Sequence, residues 1–133
     1  MNQKVEEAVE QIRTHFAESQ VTTKEDGQGG AFVMVDPVDL GSTYTEATRH
    51  TWVGFHVTFQ YPMADVYPHH VRADLARANR CGLGAGMGSA QLPGFDRPSV
   101  QISRRTKEVA WGTQSALLKL LKVIDWARCH PGG

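Results

Sequence analysis

The sequence predicts an α+β domain in which an antiparallel four-stranded meander is flanked by an N-terminal helix and a C-terminal helix that crosses the sheet. Three observations carry this prediction. An apolar stripe of Val5, Val9, Ile12 and Phe16 runs through an otherwise polar opening segment. A strict alternation then sets Val53, Phe55, Val57 and Phe59 against Trp52, Gly54, His56 and Thr58. Near the end, Leu117, Leu120, Leu121, Ile124 and Ala127 form a second helical stripe. Strand-like segments grouped between two helix-like ones predict both helices on one face of an antiparallel sheet.

Each element has its own local cause. In the first helix Glu6, Glu7, Glu10 and Arg13 occupy the polar side, Asn2 is placed to cap it, and the early glutamates suit the positive end of its dipole. VTTKEDGQGG reads as a short strand running into a glycine-rich turn, and AFVMVDPV as its partner, ended by Pro37. LGSTYTEATRH is a polar connection, and TWVGFHVTFQ is a strand with Val53, Phe55, Val57 and Phe59 towards the core. Two Tyr-Pro pairs follow, at Tyr61-Pro62 and Tyr67-Pro68, then a short strand in HVRADL. Proline fixes φ and cannot donate to a ladder, so the paired turns end one strand and start the next in a set register. The loop ANRCGLGAGMGSAQLPGFDRP is longer than an ordinary connection, and SVQIS is a last short strand. Gly112 and Thr113 then precede the final helix, whose Lys119 and Lys122 are expected to face water.

The chain of 133 residues suffices for one core, here residues 1–128, with 129–133 as a flexible tail. Lysine plus arginine and aspartate plus glutamate both total 14, so no global basic field draws a nucleic acid, and none is expected as a partner. No apolar run approaches the roughly 20 residues of a membrane span. The opening MNQKVEEAVEQ carries acidic residues where a secretory signal is apolar, so a soluble cytoplasmic protein is expected, with no membrane partner. Cys81 and Cys129 lie far apart and outside any CxxC spacing, which indicates neither a disulfide framework nor a zinc ribbon.

Several residues have the types that chemistry needs. Gly82, Gly84, Gly86 and Gly88 invite a phosphate-loop reading, but Met87 stands where a GxGxxG needs glycine, and no Gly-Lys-Ser/Thr follows. A loop running close to another backbone explains them better. His56, His69, His70 and Cys81 have the donor chemistry of zinc ligands, with Glu46 and His50 available from an earlier loop. Adjacent strand residues point to opposite faces, so His69 and His70 do not share an ion on a regular strand, and histidines at a surface turn are the simpler expectation. No metal and no cofactor is assigned. Cys81, between Arg80 and a glycine, is the plausible thiol nucleophile, against the alternative of a small packing residue. Asn79 offers an amide to a developing oxyanion, or forms the turn there. Ser89 and Ser103 have no identifiable base, and Cys129 reads as a residue of the tail.

The order of these elements and the stretch YPMADVYPHHVRADL, with VQISRR and ALLKLLKVIDW after it, resemble the ubiquitin-conjugating enzyme family. Within that family the likeness is to compact prokaryotic conjugating-enzyme-like proteins, encoded in bacterial operons with a ubiquitin-like protein and an activating enzyme and implicated in phage defence. The resemblance spans the chain to about Arg128 and implies a UBC-like fold. It also implies two partners, a ubiquitin-like modifier protein and a ubiquitin-activating-enzyme-like protein. A transthiolating enzyme of this kind carries the modifier as a thioester, for which Cys81 is the candidate carrier and Asn79 the candidate oxyanion donor.

The chain also departs from the family pattern. His69 and His70 replace its second proline pair, its His-Pro-Asn triplet is absent, and PSVQIS has no cysteine where the family's catalytic one would sit. A catalytically silent scaffold on the same fold, and a small metal-binding protein using the three histidines and Cys81, are therefore the alternatives. The terminal Gly132-Gly133 is read as an unstructured end, because ubiquitin-like modifiers open with a hairpin and this chain opens with a helix.

Overall fold

The computed structural model describes residues 1–105 and 115–130. Gly112 and Thr113, expected to precede the last helix, and the terminal Gly132-Gly133 lie outside the described residues. The elements are α1 (Gln3–His15), β1 (Gln20–Glu25), β2 (Ala31–Asp39), β3 (His50–Val57), β4 (His69–Arg72), β5 (Met87–Leu92), β6 (Arg97–Ile102) and α2 (Ala116–Cys129). The fold is α+β as expected. The sheet, however, has six strands rather than four, all pairs antiparallel, in the order β1-β2-β3-β4-β6-β5.

The extra strand comes from the long loop. Met87–Leu92 pairs along its whole length with Arg97–Ile102, and the turn at Gly94 and Asp96, both at positive φ, joins the two. Small residues in GMGSAQL hide the period-2 pattern that would announce a strand. The loop is therefore shorter than the sequence suggests, and the meander continues only to β4. Nor does Pro37 end β2. The register shifts between Val35 and Val38, so the ladder takes up Asp36 and Pro37 as a bulge and resumes at Val38 and Asp39.

Alternation assigns the two faces of the sheet. Val33, Val35, Val53, Phe55, Val57, Val71, Val100 and Ile102 form one core with Val5, Val9 and Ile12 of α1 and Leu120, Val123 and Ile124 of α2. Asn2 caps α1 as expected, its Oδ1 accepting from Val5 N at 2.9 Å, and Ser115 caps α2 by accepting from Leu118 N at 3.0 Å. Phe59 departs from the expected core: it lies beyond the end of β3 and is 52% exposed.

The opposite face is covered in part by the chain's own β5–β6 hairpin. Leu92, 1% exposed, packs on Gly54 so closely that a Cβ there would come within 2.5 Å of Leu92 Cδ1. Gly94 similarly sits on the Phe32 ring, and Lys24 Nζ donates to Gly94 O at 2.9 Å. Arg97 completes the contact with its guanidinium 5.2 Å from the Trp52 ring centroid.

Candidate functional site

The segment leading to Cys81 is fastened before the thiol is reached. Thr45 N donates to Ala76 O at 2.9 Å, Ala78 N donates to Thr43 O at 3.0 Å, and Tyr44 and Arg77 form a bridge between these two loops. The first of those loops is held in turn by the C-terminal end of α2. Tyr44 Oη donates to Ala127 O and Thr43 Oγ1 to Arg128 O, both at 2.7 Å, which satisfies carbonyls that a helix end leaves without partners. Arg128 reciprocates through Nη2 to Asp39 O at 2.7 Å.

Cys81 follows as an exposed free thiol. Arg80 takes a positive φ of 65°, and Asn79 Oδ1 accepts from Cys81 N at 3.0 Å, a side-chain turn that stabilises this corner. Asn79 thus acts as a turn former, leaving Nδ2 as the group that can donate to an oxyanion. Among the described residues no side chain hydrogen-bonds the Cys81 sulfur. Cys129 is also exposed, but it is the last residue of α2 rather than part of a tail.

The three histidines are kept apart from one another. Both His69 and His70 are on β4 and buried (0% and 2% exposed), so neither lies at a surface turn, and they face opposite sides of the sheet. His69 lies beside Phe55, with ring centroids 5.0 Å apart, and neither of its ring nitrogens has a partner among the described residues. Burial is the first cause, and the Lys119 charge the second, that push its pKa down to about 3, so it is neutral. His56 is committed to Asp26, Nε2 to Oδ2 at 2.7 Å, while Asp26 Oδ1 accepts from the amides of Gln28 and Gly30. The His56 bond is the largest cause of a lowered Asp26 pKa. His50 approaches Asp39 at 3.6 Å, and Glu46 is exposed. No group of three or more His, Cys, Asp or Glu among the described residues could hold a metal ion, so His56, His69, His70 and Cys81 do not converge.

Three arrangements escaped the sequence reading. Lys119, expected in water, is buried and pairs with Asp65 at 3.0 Å. Ser99 Oγ lies 2.8 Å from His70 Nδ1, the distance of a nucleophile and its base, but both residues are 2% exposed and no substrate reaches them. The sheet also splays where the β2 bulge faces Trp52 and where Thr51 Oγ1, rather than a backbone carbonyl, accepts from Arg72 N at 2.9 Å. A cleft of about 490 Å³ opens there, lined by Asp36, Trp52, Arg72, Asp74 and Arg97 among others. Its charges largely satisfy one another, since Arg72 grips Asp74 through two nitrogens at 2.5 and 2.9 Å. Apart from Arg72 and Asp74, these contacts join residues too far apart in sequence to leave a motif.

No protein-family model matches the chain, and neither a curated protein nor a solved structure is detectably similar to it.

Proposed function

We propose that this protein is a conjugating-enzyme-like component of a bacterial ubiquitin-like modification pathway, carrying the modifier on Cys81. The observation that supports this most is the exposed Cys81 thiol at the end of a segment fastened to the Thr43–Thr45 loop, which α2 holds in turn. A carrier thiol must be reachable by two large partners in turn while its backbone stays in place, and both conditions fit Cys81. In the reaction, the Cys81 thiolate attacks the carbonyl of the thioester that joins the modifier to the activating enzyme. The tetrahedral oxyanion then collapses, expelling the activating enzyme's thiolate and leaving the modifier on Cys81. Asn79 Nδ2 is the nearest side-chain amide in sequence for that oxyanion.

One observation favours a second reading, the catalytically silent scaffold. Nothing among the described residues engages the Cys81 sulfur to favour its thiolate.

One experiment separates the two. The protein is incubated with a ubiquitin-like modifier, its activating enzyme and ATP, and intact mass is measured before and after reductant. A carrier gains one modifier mass that reductant removes, Cys81→Ser retains it as a reductant-stable ester, and Cys81→Ala gains none. An unloaded wild type, or loading that survives Cys81→Ala, overturns the carrier assignment.

A further inference from the structure

A β-sheet has two edges, and each leaves alternate N–H and C=O groups without a strand partner. The β1 edge is guarded. It carries Lys24 and Glu25, Arg13 Nη1 donates to Val21 O at 3.0 Å, and the N-terminal ammonium pairs with Glu25. Among the described residues nothing covers the β5 edge. Its sequence, MGSAQL, has no charge and no proline, and its register with β6 is unbroken from Met87 to Leu92, so no bulge turns the edge aside. Gly88, Ser89 and Gln91 are exposed, and no described residue lies within 4 Å of where a Gly88 Cβ would be. Among the described residues β5 makes no hydrogen bond outside its ladder with β6 and the turn bonds at its two ends, Met87 N to Gly84 O and Phe95 N to Leu92 O.

We infer that β5 pairs antiparallel with β5 of a second copy of this chain, joining two six-stranded sheets into one across a twofold axis. A strand that pairs with itself must be compatible with its own reverse. Uncharged residues at positions 88–91, the first three of them small, place no like charges opposite one another, and the formal net charge of zero removes long-range repulsion between copies. The same centre makes a charged substitution unusually effective, because each one is met by its own copy. A single strand edge is a small contact, so the dimer is concentration-dependent rather than obligate.

The full chain is run in sedimentation velocity from micromolar to millimolar concentration, beside Ser89→Lys and Thr22→Lys. Wild type and Thr22→Lys shift from monomer to dimer with concentration, and Ser89→Lys weakens the association about tenfold or more. Far-UV circular dichroism establishes that Ser89→Lys is folded. Hydrogen exchange on wild type provides a second readout, with β5 amides gaining protection as concentration rises. A wild type that stays monomeric throughout, or a dimer equally weakened by Thr22→Lys, overturns the inference. So does a dimer in which β5 amides exchange as fast as in the monomer.

Discussion

Lys119 on α2 reaches across to Asp65 in the turn region between β3 and β4, closing to 3.0 Å with side chains only 6% and 10% exposed. Burial is the first cause lowering the Lys119 pKa, and the hydrogen bond and charge of Asp65 oppose it. The pair ties α2 to the segment between the two Tyr-Pro turns, where Tyr61 Oη also accepts from Ala116 N at 3.0 Å.

Removing one member of such a pair takes from a buried charge the opposite charge it faces. Asp65→Ala is expected to cost about 3–5 kcal/mol in urea unfolding, and Asp65→Ala combined with Lys119→Met to recover most of that. Equal losses in the single and double variants would show that the ion pair is not what the site depends on.

His69 gives stability a dependence on pH. Its folded pKa of about 3 lies below the unfolded value near 6.5, so between those limits the unfolded chain binds the extra proton. Stability from this group is complete above about pH 6.5 and falls on acidification towards pH 3, by roughly 1.4 kcal/mol per pH unit. His70, whose pKa burial also lowers, acts in the same direction. Unfolding midpoints at pH 7 and pH 5 should differ clearly in wild type and markedly less in His69→Leu. An unchanged difference in that variant would assign the dependence elsewhere.

The hairpin resting on the second face can be tested at Gly54. Gly54→Ala places a methyl against Leu92 and is expected to destabilise by about 1–3 kcal/mol, and in a Leu92→Ala background the same change should cost much less. Additive costs would mean that the two positions do not touch.

Cys81 is expected to react with a disulfide reagent in the native state, as is Cys129, and Cys81→Ser to halve the thiol count while moving stability by less than about 0.5 kcal/mol. A Cys81 that reacts only after denaturation would remove it as a carrier.

Much of the frame was legible in the sequence, and the reason is periodicity. Val5, Val9 and Ile12, and then Val53, Phe55 and Val57, bury the faces that their spacing announces. β5 was not legible because glycine, serine and alanine have no side chain large enough to mark which face is inside. The burial of Lys119 was not legible because a lysine on a helix carries no mark of the aspartate 54 residues away that draws it inward. The same holds for the site. Asn79 and Cys81 are two residues apart, and what joins them is the turn bond from the Cys81 amide to Asn79 Oδ1, whereas His70 and Ser99 meet only because β4 and β6 are neighbours.

The strand order has a consequence for synthesis. β6 lies between β4 and β5, yet β5 leaves the ribosome first. Until Arg97–Ile102 has emerged, Met87–Leu92 has no ladder to join, and the nascent chain holds an uncharged, proline-free strand in waiting while its first four strands can already close.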